Sequence, residues 1–456
     1  MTGLAGPAGL ADLVAGAPGS LVLPDRPRGA EVDVPGPLVL LSGLDLGRGR
    51  WIAVLADAAG GRWAAPLVVD PAGLRRAVAG DGVAEALARL ITEQARGEQA
   101  RGGTGLDGGF VLTSWHGEHA TGERAVAVDQ TNDSIVVGRT AVVKWAVRLP
   151  TDPATGHPAA ARIDTLVAQG FTGIPRPWGH LRWQPCRQAP GGEDVVVATV
   201  ASFLPDAVDG WEWAVDDVRR LAGGELDLGA AVTPAGTIGA LTARMHLALA
   251  STGREPAGPE LAASWTRRAN EDLAAAVRLV GGPEGERLAV RAARIGRAFD
   301  DLGTAAGTPL IDVHGDFHVG QVLRSGRPHE YAITDFDGNP VLPEAERLQR
   351  RPAALDVAGM LASLDHVGRV VIRRTDGVDR AVVGRWITAA QAAFMAGYRA
   401  ELAAATASDL LDEHLLAPLR LQQEVREYLY AVRHLPHWRY VPDAALIDLL
   451  PDAAKD

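Results

Sequence analysis

His314-Gly315-Asp316-Phe317-His318-Val319-Gly320-Gln321, followed by Asp335-Phe336-Asp337-Gly338, is the stretch from which the fold of this chain is read. Ahead of it, residues 308–313 (TPLIDV) form the short apolar run of a buried strand, and the alternation of Tyr331-Ala332-Ile333-Thr334 predicts another. Both acidic clusters therefore sit where strands run out into loops, the places where scaffolds present reactive side chains. A carboxylate so placed can orient and deprotonate a hydroxyl, and side-chain oxygens nearby can hold magnesium on phosphates. Asp316 suits the first task, Gln321 and Asp335 the second. The competing reading is a metal-site histidine pair, but hydrolytic zinc takes three protein ligands and an open position, which His314 and His318 alone do not supply.

The 456 residues are enough for two or three domain-sized units with a substantial core. Lys+Arg 45 against Asp+Glu 56 gives a net charge of −11, which lacks the basic character of a nucleic-acid partner. A lone cysteine, Cys186, rules out an intramolecular disulfide and suits a reducing compartment. The opening MTGLAGPAGLADLVAGAPGS has neither a charged n-region nor a long apolar core, and no stretch approaches the ~20 apolar residues of a membrane span. A cytoplasmic protein is expected, with no membrane partner. Only two of the basic residues are lysines, Lys144 and Lys455. Where arginine replaces lysine almost everywhere, one retained in mid-chain marks a position that needs a compact ammonium.

Residues 1–110 have the pattern of a small α/β unit: strand character at 38–41 and 51–55, then helical spacing over 83–101. A Gly-rich break over 102–109 contains a literal G-x-G-x-x-G at Gly103, Gly105 and Gly108, but it follows a helix and precedes a strand, the reverse of a dinucleotide fingerprint, so a linker is expected. Strands over 125–128 and 135–137 flank the polar turn Asp129-Gln130-Thr131-Asn132-Asp133-Ser134, whose hydroxyls, amides and backbone N–H groups can cover phosphates without a Walker motif. Lys144 lies in the next strand, 140–147, either reaching phosphates or snorkelling to a strand edge. The run Val195–Val200 reads as a buried central strand leading to Ser202. Beyond residue 205 the pattern is mostly helical: a helix starting at Thr233-Pro234, one or two helices over 260–298, another over 355–364, and a last one over 415–435. His246 and Met245 fall on an apolar stripe and read as core.

The pattern H-G-D-x-H-x-x-[NQ] followed by D-F-[DE] resembles the catalytic and metal-binding loops of kinases with the aminoglycoside phosphotransferase fold. In its form here, HGDFHVGQVL with DFDGNP, it is most similar to the maltokinase branch and, within it, to the actinobacterial glucosamine kinases. The resemblance covers about residues 110–445. It implies an α+β, bilobal, eukaryotic-protein-kinase-like fold: an N-terminal cap subdomain over 1–109, a kinase N-lobe over 110–204, and a mostly helical C-lobe over 205–456. ATP and Mg²⁺ are the implied cofactors. Lys144 with Gln130, Thr131, Asn132 and Ser134 would hold the nucleotide's phosphates, and backbone groups near Val200 and Ser202, at the position of a kinase hinge, would read the adenine. Gln321 and Asp335 would bind Mg²⁺, with Asp337 approaching a second metal or the γ-phosphate. His314, His318 and Asp356 would brace the catalytic loop from behind. Two departures stand out: Leu355 occupies a position where many relatives have arginine, and the helix over 157–170 offers only Asp164 where the wider kinase pattern has a glutamate to orient the lysine.

Acceptor specificity is sought on the last helix. Gln423, Glu427 and Tyr430 stand at i, i+4 and i+7 and share one face, and Glu424 and Glu427 lie three apart. Carboxylates beside a tyrosine suit the ammonium and hydroxyls of an amino sugar, with Trp438 stacking on its apolar side. A solvated acidic face paired with Arg426 is the alternative. Gln423-Glu424-Val425-Arg426-Glu427 resembles the segment that sets glucosamine kinases apart. The expected activity is ATP-dependent phosphorylation of an amino sugar, D-glucosamine at its 6-hydroxyl, by a monomer or small homo-oligomer. Maltose 1-phosphorylation, aminoglycoside phosphorylation and a non-catalytic nucleotide-binding regulator are the other readings.

Overall fold

The computed structural model describes residues 7–16, 21, 23–25, 30–32, 37–97, 103–126, 133–146, 148–149, 158–184, 195–326, 330–339, 342 and 344–450. It divides into two compact units. Met1–Ile163, Ile174–Pro205 and Pro340–Leu348 make the first; Asp164–Gly173, Asp206–Asn339 and Gln349–Asp456 make the second.

The first unit is built on two antiparallel sheets. Helix α1 (Pro7–Gly16) packs on β1 (Val39–Gly47), which pairs with β2 (Arg50–Ala56) and through it with β3 (Arg62–Asp70). Helix α2 (Val83–Ala95) follows; the remainder of its expected length, 98–101, lies outside the described residues. The second sheet contains β4 (Phe110–Ser114), β5 (Glu123–Ala125), β6 (Asp133–Val137), β7 (Ala141–Trp145), β8 (Pro177–Trp183) and β9 (Val195–Ser202), in the spatial order β4-β8-β9-β7-β6-β5. One hydrophobic cluster runs through both sheets, from Leu10 and Leu55 to Trp145, Trp178 and Val200. The Gly-rich segment expected to be a linker is instead part of the sheet. Thr104 and Gly105 pair with Leu112 and Val111, so the glycines make the turn of a hairpin on β4.

Register places Lys144. On β7 the buried residues are Ala141, Val143 and Trp145, so the period of two turns Val142 and Lys144 to the less buried face. Lys144 is flanked there by its cross-strand partners Ser134 and Thr199. Val200 and Ser202 are cross-strand partners of Val143 and Ala141; Val200 packs into the core, and the Ser202 hydroxyl accepts the Trp178 indole N–H at 3.0 Å. Gln130, Thr131 and Asn132 lie outside the described residues.

The second unit is mostly helical. In chain order its main elements are α3 (Gly210–Ala222), α4 (Leu228–Leu249), α5 (Pro259–Leu279), α6 (Gly282–Phe299), β10 (Pro309–Ile311), β11 (Val322–Arg324), β12 (Tyr331–Ile333), α7 (Ala354–Arg374), α8 (Arg380–Ala404), α9 (Leu416–His434) and α10 (Tyr440–Leu449). The helix expected to begin at Thr233-Pro234 begins earlier. Asp227 caps it by accepting the Ala230 N–H at 2.9 Å, and Pro234 is carried inside α4. His246 and Met245 are fully buried, as their apolar stripe predicts. No helix among the described residues is long and apolar enough to cross a membrane.

Candidate active site

A two-stranded hairpin brings the two acidic stretches together. β11 pairs antiparallel with β12, Val322 opposite Ile333, so Gln321, just before β11, faces Thr334 and Asp335, just after β12. The ladder extends one step further: the Thr334 N–H donates to the Gln321 carbonyl at 2.8 Å. The Gln321 amide then stands 3.4 Å from Asp335 Oδ2. Asp335 adopts φ +66°, the left-handed region, which turns its side chain back toward Gln321. Asp337 follows on the same loop and is buried.

His314 ties this hairpin to the loop that carries Asp316. Its Nε2 donates to the Thr334 carbonyl at 2.8 Å while its Nδ1 accepts the Asp316 N–H at 3.3 Å. Burial lowers the His314 pKa, so the neutral ring with its proton on Nε2 is the form that satisfies both contacts. Burial pushes the Asp316 carboxyl up to about 7; Asp335 and Glu427 push in the same direction, and His314 opposes them.

Helix α7 supports the loop residue by residue. Asp356, Gly359, Ser363 and His366 lie at i, i+3, i+7 and i+10, one face of a helix. Asp356 accepts the backbone N–H groups of His314 at 2.7 Å and Gly315 at 2.9 Å, and His246 Nε2 at 3.0 Å. Gly359 lies under the Phe317 carbonyl, where a Cβ would come within 2.6 Å of the oxygen. Ser363 Oγ accepts the Val319 N–H at 2.9 Å. His246, itself hydrogen-bonded to the Tyr398 hydroxyl at 2.7 Å, completes the brace. Asp356→Ala leaves three buried donors without an acceptor and is expected to cost about 3–5 kcal/mol. Thermal and denaturant unfolding measure this; an unchanged midpoint would contradict the bracing role.

His318 and Gln321 bear on metal binding. His318 Nδ1 accepts the Gly320 N–H at 3.1 Å, and burial keeps the ring neutral, so its proton sits on Nε2, 3.4 Å from the end of the Gln321 amide. An amide presents nitrogen or oxygen by a half turn. Nitrogen forward, it donates to Asp335; oxygen forward, it accepts from His318 and stands beside Asp335 as a second oxygen ligand. That donor set fits Mg²⁺, which is held by a few protein oxygens together with substrate phosphates. Among the described residues no cluster of three His, Cys, Asp or Glu side chains forms a separate metal cage.

Beside Asp316 lies an acidic, aromatic cluster. Glu427 accepts the Gln423 amide N–H on one carboxylate oxygen at 3.2 Å and the Trp438 indole N–H on the other at 3.0 Å. Trp438 meets Trp211 edge to face, ring centroids 5.9 Å apart, and Trp211 also lies 6.5 Å from His318. Trp211 is brought in by Gly210, whose missing side chain admits the Val319 carbonyl; a Cβ would sit 1.7 Å from that oxygen. Glu424 does not join this cluster. It is 1% exposed and both its oxygens meet His366 Nε2, at 3.0 and 3.1 Å, so it faces the interior, where an arriving acceptor has no access. Burial alone would lower the His366 pKa, but Glu424 outweighs it and pushes the imidazole up to about 9. Tyr430 packs its ring on His434 at 5.2 Å. Trp211, Ser363 and His366 were not singled out as site residues from the sequence. The signal for the last two is a polar stripe at helical spacing inside the otherwise apolar run of α7.

No family model matches the chain. A glucosamine kinase from Streptacidiphilus jiangxiensis is 56% identical over 448 residues, 98% of this chain and 99% of that protein. A glucosamine kinase from Mycolicibacterium smegmatis is 42% identical over 419 residues, 92% of this chain and all of that one. Among solved structures, a glucosamine kinase superposes with a TM-score of 0.87 at 53% identity, covering 97% of this chain and 99% of its own. Another, solved with glucosamine, ADP and inorganic phosphate, gives 0.83 at 53% identity over the same shares. The α+β, kinase-like fold expected from HGDFH is therefore shared along nearly the whole length, and the chain belongs to the glucosamine kinase family.

Proposed function

We propose that the chain transfers the γ-phosphoryl group of ATP to the 6-hydroxyl of D-glucosamine. The observation that carries this reading is the Glu427 carboxylate, held by Gln423 and Trp438 beside Asp316. Each oxygen has one donor and capacity for another, and a partly desolvated carboxylate is best satisfied by a cation. The 2-ammonium of an amino sugar is that cation, and the perpendicular indoles of Trp211 and Trp438 offer apolar faces to a pyranose. The relative solved with glucosamine, ADP and inorganic phosphate supports both ends of the reaction.

In this reading Asp316 accepts the hydrogen bond of the acceptor hydroxyl and takes its proton as the phosphoryl group transfers; the transition state is loose, so positioning outweighs basicity. Gln321 and Asp335 would hold Mg²⁺, with Asp337 behind them. The ion, when bound, neutralises charge on the transferred group. Lys144 and Ser134, with Gln130, Thr131 and Asn132, would hold the phosphates, and backbone groups at Val200 and Ser202 the adenine. HGDFHVGQVL with DFDGNP supports the finer placement in the maltokinase branch. ATP dependence and the lone Cys186 suit the cytoplasm.

Glu427→Gln keeps the shape and both donors' partner but removes the charge. KM for glucosamine is expected to rise about 10- to 100-fold, the loss of one charge-assisted contact, while KM for glucose stays nearly unchanged. Steady-state kinetics on both sugars test this, and equal effects would mean that the amine is read elsewhere.

A further inference from the structure

Recognition of an amine by Glu427 depends on where that carboxylate stands, and one of the two donors that hold it is the Trp438 indole. Trp438 sits on the short 3₁₀ turn Pro436–Trp438 between α9 and α10, where no helix fixes its direction, so neighbouring side chains must. Three rings meet it: Trp211 at 5.9 Å, Tyr440 at 6.1 Å and His366 at 6.4 Å between centroids. Trp211 and Tyr440 are partly exposed; His366 alone of the three is buried, 4% exposed.

His366 is in turn fixed from two helices. It lies on the α7 face that holds the catalytic loop through Asp356 and Ser363, and its Nε2 meets both Glu424 oxygens, at 3.0 and 3.1 Å. Glu424 stands three residues before Glu427 on α9. The contacts therefore close on themselves: His366 to Glu424, along α9 to Glu427, from Glu427 to the Trp438 indole N–H, and from that ring edge to face back to His366. Well-packed apolar side chains serve a buried position at least as well for stability. What imidazole and carboxylate add is direction, because two oxygens converging on one ring nitrogen set where the ring points.

We propose that His366, anchored by Glu424, is a positioning residue for the acceptor's amine: it holds the Trp438 indole in place and, through it, the Glu427 carboxylate. The proposal rests on the reading that Glu427 takes the 2-ammonium. Both His366 and Glu424 are buried, so their contribution is a preference between sugars and not a contact with either.

The test is the ratio of kcat/KM for glucosamine to that for glucose, measured on the full chain with saturating ATP and Mg²⁺. His366→Gln removes the ring but keeps a donor for Glu424. It is expected to lower the ratio about three- to tenfold, the worth of one edge-to-face contact, by raising KM for glucosamine. kcat, and KM for glucose, should stay within about twofold, whereas a loss of folded enzyme lowers the rates with both sugars equally. Glu424→Gln keeps the ring but presents one oxygen in place of two; it should move the ratio in the same direction by a smaller factor, and it carries the test if the histidine variant does not fold. In the Glu427→Gln background, His366→Gln should change the ratio no further, because it acts through that carboxylate. A ratio unchanged by His366→Gln and Glu424→Gln but erased by Glu427→Gln, or a full additional loss in the Glu427→Gln background, would overturn the positioning role and leave the reading of Glu427 standing. A ratio that Glu427→Gln itself leaves unchanged would overturn both.

Discussion

Asp316→Asn is expected to lower kcat with glucosamine by about a thousandfold while ATP still binds. The substitution keeps the size of the side chain and the backbone contacts around it, since His314 Nδ1 meets the Asp316 N–H, not its carboxylate. What it removes is the only function proposed for the group, accepting the acceptor's proton. The pH profile gives a second readout. Burial pushes the Asp316 carboxyl up to about 7, so the free enzyme loses its base as pH falls through that value. kcat/KM should therefore rise with pH up to about 7 and then level off, whereas the residual rate of the asparagine variant should lack that limb. Turnover undiminished in the variant would remove Asp316 from the chemistry.

Asp335→Asn is the second large effect. Asparagine tolerates the left-handed backbone at φ +66° almost as well as aspartate, so the variant isolates the charge from the turn. Loss of that charge is expected to reduce kcat about 10²- to 10³-fold and to abolish the gain in ATP affinity that Mg²⁺ confers. Titrating ATP by calorimetry with and without Mg²⁺ separates the two. A magnesium-dependent gain of unchanged size would mean that Gln321 and Asp335 do not hold the ion.

The placement of Asp316, Gln321 and Asp335 at strand ends was legible because it depends on local sequence. Asp316 and Asp335 each follow a short apolar strand, Gln321 immediately precedes one, and a two-stranded hairpin forces Gln321 and Asp335 together once β11 and β12 pair. The strand that carries Lys144 was legible for a similar reason, the apolar run over 140–147, and its period of two sets Lys144 on the less buried face. Glu424 was misplaced because its fate is decided by His366, 58 residues upstream and on another helix. Gln423 and Glu427 sit four apart on one face, whereas Glu424 is turned by about 100° into the side of α9 that also buries Val425 and Tyr428. The start of α4 was misjudged because Pro234 is a conspicuous signal and the Asp227 cap a quiet one. Trp211 depends on a backbone approach at Gly210 that only the fold reveals.

An acceptor panel of glucosamine, glucose, maltose and kanamycin, with ATP and Mg²⁺ and the phosphorylated position assigned by NMR, decides whether the Asp316 and Glu427 carboxylates select an amino sugar. Glucosamine phosphorylated on O6, with kcat/KM above that for glucose by a factor that Glu427→Gln erases, is the expected result. Preferential phosphorylation of maltose at its anomeric oxygen, or of kanamycin, would contradict it.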